Sequence, residues 1–322
     1  SVGVGTATSV QGNTFSNTTI TGPTGNPGYM GIGIANGNVN CGTVSGNLVG
    51  SNTVNGAITL NSGAGGFGGL TGFRVTAGTQ TTFANNQVSG ITLNGTNTTD
   101  MPSFIGISAT GGTLTTVTNN TVGSATLANS IFVPTTSTTT TSAPTFRGIQ
   151  VGGTNITVTN NLVANITHNN EGTSTASIQG IAATSGIVNI SGNTVRDIKH
   201  ASRGTAGGTT CAISGIMFSN FTAPSTIANN TIHSLSLSNT TNTNATQIVG
   251  LYYSNSAGTT ANNIIERNNI HSIGMASTAN AAGYISGMDV ANGTLTVRNN
   301  MIRLGIDQNG NDLAFLNGKV GI

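Results

Sequence analysis

Arg196, His233, His271 and Arg303 each stand three places after an asparagine that recurs every 32 to 38 residues in this part of the chain. Imidazole and guanidinium groups stacked in one column, with Lys199 and His200 nearby, would make a positive stripe suited to an anionic glycan. The two histidines are also common metal ligands, although no third ligand accompanies them. A solvated outer face is the plain alternative. Toward the N-terminus the stripe fades, since the same place holds Gly50, Ser89, Gly123 and Ala164.

Acid–base chemistry has little to work with. The seven acidic residues are Asp100, Glu171, Asp197, Glu266, Asp289, Asp307 and Asp312, and most fall at different places of the repeat. Glycoside hydrolysis needs two carboxylates at a set separation. The expectation is therefore a protein that is not an enzyme and carries no cofactor. "DQNGND" (307–312) sets Asp307, Asn309 and Asp312 around a glycine, as a calcium loop does. It lacks the closing bidentate Glu, and a polar turn is the simpler reading.

Threonine makes a further array. Thr43, Thr82, Thr116, Thr157, Thr226 and Thr296 stand four places before the recurring asparagine; Ser45, Ala84, Thr118, Thr159, Ser191 and Ala228 stand two before it. Alternation along a strand would point both sets outward. Such a hydroxyl surface is a candidate for ice binding, although Ile264, Glu266 and Arg298 interrupt it. Stacked threonines also stabilise a sheet without any ligand.

These columns exist only if the chain repeats. The reference asparagines are Asn13, Asn47, Asn86, Asn120, Asn161, Asn193, Asn230, Asn268 and Asn300. Three places before them stand Val10, Val44, Phe83, Val117, Val158, Ile190, Ile227, Ile265 and Val297, expected to face inward. Two places after stand Phe15, Val49, Val88, Val122, Val163, Val195, Ile232, Ile270 and Ile302. Between successive asparagines a glycine precedes an apolar residue, as in "YMGIGI" (29–34), "FIGI" (104–107) and "ISGI" (213–216). Each repeat thus reads as three short strands and a variable loop. No unit of this size buries an apolar face alone, so the copies must stack.

The expected fold is all-β: a right-handed parallel β-helix of about nine coils, stepping about 4.8 Å per coil. Asparagine supplies a donor and an acceptor, so an Asn column can bond coil to coil, and Asn tolerates the left-handed backbone of a corner. Gly12, Gly46 and Gly192 precede the reference asparagine in three copies, in keeping with a corner there. The longest connection, 128–146, is expected to project outward. Cys41 and Cys211, four coils apart, read as free thiols.

"NNTIHSLSL", "RNNIHSIGM" and "VRNNMIRLGIDQNGND" resemble the parallel β-helices of the pectin-lyase-like superfamily. More narrowly they resemble the large β-strand-repeat surface proteins of Bacteroidota-type bacteria. That resemblance implies an exported, structural or adhesin-like protein. The Asp clusters of the related lyases, and the Gly-His-Gly and Arg-x-Lys elements of the related hydrolases, are missing here.

Composition agrees with a polar solenoid. Charged residues are 5% of the chain and the net charge is +2, which gives no basis for nucleic-acid binding. No window reads as a membrane span. The whole of 1–322 reads as one β-helix domain, either a segment of a longer solenoid or a subunit that assembles end to end. The expected function is an extracellular filament, stalk or surface layer whose partners are its own copies or adjoining coils, with surface glycans; the alternative is a carbohydrate-binding or polysaccharide-degrading β-helix protein that uses the basic stripe.

Overall fold

The computed structural model describes residues 6–22, 28–63, 68–95, 101–134, 144–172, 176–204, 211–219, 224–255, 262–277 and 283–313, and the backbone of 319–321. It is a parallel β-solenoid. The strands form two sheets, of 16 and 13 members. One coil shows the plan. Gly28–Ile34 and Val39–Cys41 lie in the larger sheet, the chain turns at Asn47, and Leu48–Gly50 and Ile58–Ser62 lie in the smaller. In Ser103–Thr118 and Thr145–Thr159 the first two places fuse into one long strand.

The coil therefore has four strand places rather than the three expected. Nine asparagine rungs mark about seven full turns, with a partial coil at each end of the described region. Among the described residues no helix is long and apolar enough to cross a membrane.

The asparagine column is a continuous ladder. Each Nδ2 donates to Oδ1 of the next rung: Asn13 to Asn47 at 2.8 Å, Asn86 to Asn120 at 3.0 Å, Asn161 to Asn193 at 2.9 Å, Asn268 to Asn300 at 2.9 Å. The same Oδ1 also accepts the backbone N–H of the preceding rung, as Asn193 Oδ1 does from Asn161 at 2.9 Å. A further Nδ2 bond reaches the inward residue's carbonyl one coil back, from Asn161 to Val117 at 2.9 Å. Burying an amide unpartnered is costly; here its donors and acceptor are engaged. The ladder has a direction, because every side-chain bond between rungs points the same way along the rod.

The preceding residue makes the corner. Asn85, Asn119, Asn160, Asn229, Arg267 and Asn299 hold φ between 54° and 59°, and Gly12 and Gly192 do the same at 63° and 68°. L-residues avoid this region unless, like asparagine, they bond locally.

Inside, the columns expected to be apolar are buried from Val49 to Ile270 after the asparagine and from Phe83 to Ile265 before it. The glycine column has a steric cause. A Cβ on Gly148 would lie 2.5 Å from the Gly180 carbonyl oxygen and 2.5 Å from Val163 Cγ1. Gly72, Gly106, Gly180 and Gly215 face the same pair of neighbours. The valine or isoleucine after the asparagine occupies the space a side chain would need.

Two expectations fail in the second coil. Val44 is 87% exposed, and Cys41 takes its inward place, paired with Val10 and Phe83. The inward residue stands six places before Asn47 instead of three, so 42–46 form an inserted bend, and the left-handed residue is Gly42 (φ 76°) rather than Gly46. Gln11 of the coil before braces it, its Oε1 accepting the N–H groups of Val44 and Ser45 at 3.0 and 3.2 Å. Nor is 128–146 all loop: Ile131–Val133 is a strand, and Ile131, Val133 and Phe146 are buried. The threonine run 135–141 lies outside the described residues.

Candidate functional site

The basic column is real as a register. Arg196 pairs with His233, His233 with His271, and His271 with Arg303, on strands that stack in the smaller sheet. Each of Thr194–His200, Thr231–Leu237 and Asn269–Met275 bends just after the basic residue, at Asp197, Ser234 and Ser272, with φ of 53° to 56°. The bend restarts the inward–outward alternation and sets the basic side chain on its shoulder.

The charge differs from the expectation. The His233 and His271 rings stack at 4.9 Å and 5°. Each Nδ1 lies 2.9 Å from the hydroxyl of the following serine. Burial holds both imidazoles below their ordinary pKa; His271 adds to this for His233, and Arg303 for His271. Both are neutral at pH 7. Arg196 forms an ion pair with Asp197 and donates to the Ala125 carbonyl at 2.7 Å. Near neutrality the stripe is two neutral rings between two arginines, one of them already paired. Parallel rings about 4.9 Å apart aim their Nε2 atoms side by side, whereas one zinc ion with bonds of about 2.0–2.1 Å needs converging ligands. The described residues hold no group of three or more His, Cys, Asp or Glu side chains able to share a metal.

His200 does not belong to the stripe. It is fully buried with His168 in a column otherwise filled by Val133, Leu237 and Met275. The two rings meet edge to face at 4.7 Å, and His168 packs on Phe146 at 4.8 Å. His200 faces two carbonyl oxygens, Nδ1 to His168 at 3.4 Å and Nε2 to Ala176 at 3.2 Å. A neutral ring has one N–H and serves only one of them. Both ring nitrogens of His168 lack a partner. Burial pushes His168 well below, and His200 down to about 4.

Beside the stripe lies an open cleft of ≈ 270 Å³, lined by Asn165, Thr167, Asp197, Lys199 and Ser234 with Gln308 and Asn309. The last two belong to the 307–312 turn. Asp307 Oδ1 accepts the N–H groups of Asn309 and Asn311, both at 2.8 Å, and Oδ2 accepts both side-chain amides. These bonds, the backbone N–H of Asn311 foremost, lower its pKa. Asp312 sits in an antiparallel bridge with Ile306. The segment behaves as a self-bonded hairpin.

The threonine columns hold in the middle coils: Thr82, Thr116 and Thr157 are in register, as are Thr118 and Thr159, whose hydroxyls bond at 3.0 Å. In the second coil Asn40 replaces Thr43, and between Thr157 and Thr226 stands Asn189. Glu266 and Arg298 pair through Nε at 2.6 Å where the array breaks.

Sequence reasoning missed a second small core on the outer face of the larger sheet. There Ala182, Cys211, Met217, Val249 and Tyr252 pack together, and Gln247 Nε2 bonds Asp289 at 2.8 Å. Its signal was the apolar run Ala182, Met217, Tyr252 at one register position. Both cysteines are free and buried, their thiols pushed up to about 12 mainly by desolvation.

Fold and site together define a parallel β-solenoid with an internal asparagine ladder. No family model, curated protein or solved structure matches the chain.

Proposed function

We propose that this chain is a non-catalytic structural or adhesin-like solenoid of the cell exterior, part of a filament, stalk or surface layer. The reading includes kinship with the pectin-lyase-like β-helices and the bacterial β-strand-repeat surface proteins it resembles. One observation supports it above the others: an unbroken, directional ladder of buried asparagines joins coil to coil. Among the described residues, Asp197 is the one carboxylate lining the cleft described above.

Small-angle scattering tests the reading. The expected particle is a rigid rod whose coil stack is roughly 40 Å long per copy, from eight steps of about 4.8 Å, with no depolymerisation of acidic polysaccharides. Chain cleavage of such a polysaccharide would overturn it.

A second reading rests on the registered column. Arg196, His233, His271 and Arg303 would retain an anionic glycan as the histidines gain charge in acid. Retention on an acidic-polysaccharide column should rise from pH 7 to pH 5 and fall on joint Arg196→Gln and Arg303→Gln substitution. Unchanged retention would remove it.

A further inference from the structure

On the outer face of the smaller sheet, one register column shrinks toward the later coils. Thr167 pairs with Lys199, Lys199 with Ser236, and Ser236 with Gly274. The 306–312 hairpin lies close over the small end of that column. A Cβ on Gly274 would stand 3.4 Å from Leu313 Cδ2 and 3.6 Å from the Cα of Asp307. At the hairpin tip, Gln308 and Asn309 face Thr167 and Lys199 across the open cleft of ≈ 270 Å³.

We propose that this cleft binds a single oxyanion group (sulfate, phosphate or carboxylate), with Lys199 as its countercharge and the Thr167 hydroxyl as a hydrogen-bond donor. The inference goes beyond both readings above, because the anion lies beside the stripe and Arg303 takes no part.

Two observations point to a ligand. Thr167 is only 8% exposed, yet its hydroxyl has no hydrogen-bond partner among the described residues, and it lines the cleft. A buried hydroxyl left unpaired is costly. Lys199 is exposed and forms no ion pair among the described residues. Its ammonium group is a compact charge with three donors, which suits an oxyanion. Ser234, also 8% exposed, adds a second hydroxyl, and the hairpin adds the carboxamides of Gln308 and Asn309.

Charge decides the sign of the ligand. Asp197 lines the cleft too, but Arg196 takes up its carboxylate. That pair is neutral as a unit, so Lys199 leaves the cleft with a net positive charge. Asn165, Asp197 and Ser234 hold left-handed bends on three successive coils, with φ of 53° to 57°, and the bends turn Thr167 and Lys199 outward together. The volume falls just under the roughly 300 Å³ at which small-molecule pockets begin. It suits one charged group rather than a whole sugar chain.

Equilibrium dialysis of the full chain against radiolabelled sulfate, at fixed ionic strength in chloride, tests the site. Uptake should saturate at one ion per chain, with phosphate and acetate competing. Thr167→Val and Lys199→Gln should each weaken it about tenfold or more, through loss of one hydrogen bond to a charged group. Arg303→Gln should leave it unchanged. Asp197→Asn keeps a residue that tolerates the left-handed bend and should tighten binding, since it removes the carboxylate from the cleft. A sulfated disaccharide that competes far better than sulfate assigns the group to a glycan, and equal competition assigns it to the free ion; either supports the site. Uptake that does not saturate, or that survives the joint Thr167→Val and Lys199→Gln variant, would overturn it. Weaker binding by Asp197→Asn would overturn the choice of an anion. Loss on Arg303→Gln with both cleft variants unaffected would sink the cleft and leave the stripe reading standing.

Discussion

Acid should weaken this solenoid through His168 and His200, and the size of the effect follows from their burial. An exposed imidazole in the unfolded chain titrates near 6.5, while His200 in the folded state titrates at about 4. Because the folded pKa is depressed, the stability is present above pH 6.5 and is lost as pH falls from 6.5 through 4. A shift of about 2.5 units at about 1.4 kcal/mol each amounts to about 3 kcal/mol. His168 is shifted in the same direction and adds to the loss. His168→Val with His200→Leu copies the residues that already stand above and below them, Val133 and Leu237. Urea unfolding at pH 7 and pH 4 measures the difference. The unmodified chain should lose at least about 3 kcal/mol more than the double variant across that interval. Equal losses would refute the assignment, because the half-buried His233 and His271 and all the carboxylates are common to both proteins.

Two further outcomes test the packing. Asn161→Ala removes the partners of the Asn120 backbone N–H and the Val117 carbonyl, while the Asn120 amide keeps the Phe83 and Thr118 carbonyls; it should cost about 2 kcal/mol or more by denaturant unfolding, at about 1–3 kcal/mol per buried unsatisfied group. Gly148→Ala should cost about 1–3 kcal/mol through overpacking. Adding Val163→Ala should recover only part of it, since the Gly180 carbonyl oxygen still crowds the new methyl group.

What was legible in the sequence is what repeats with constant phase. Asparagine rungs, the flanking apolar columns and the glycine column recur at fixed offsets, so parallel stacking followed from counting. Errors arose where the phase changes inside a coil. Plain alternation from Val195 would face Asp197 inward; instead its left-handed bend leaves Ile198 and His200 inside and Lys199 exposed. By that alternation His200 falls on the outer face with the stripe. The same fixed offset selected Val44 over Cys41. The lowered pKa of His233 and His271 comes from burial, helped by His271 beside the first and Arg303 beside the second, which residue type alone does not reveal.

The inserted bend at 42–46 carries a consequence for how such a chain tolerates change. It adds three residues ahead of Asn47, yet Asn47 still bonds Asn86 at 2.8 Å, and Val49 still aligns with Val88. Each rung resets the count. A length error arising in one coil is absorbed before the next begins, so misalignment does not accumulate along the rod. Insertions and deletions between rungs then become local edits, and the loops can diverge while the axis that carries them keeps its geometry.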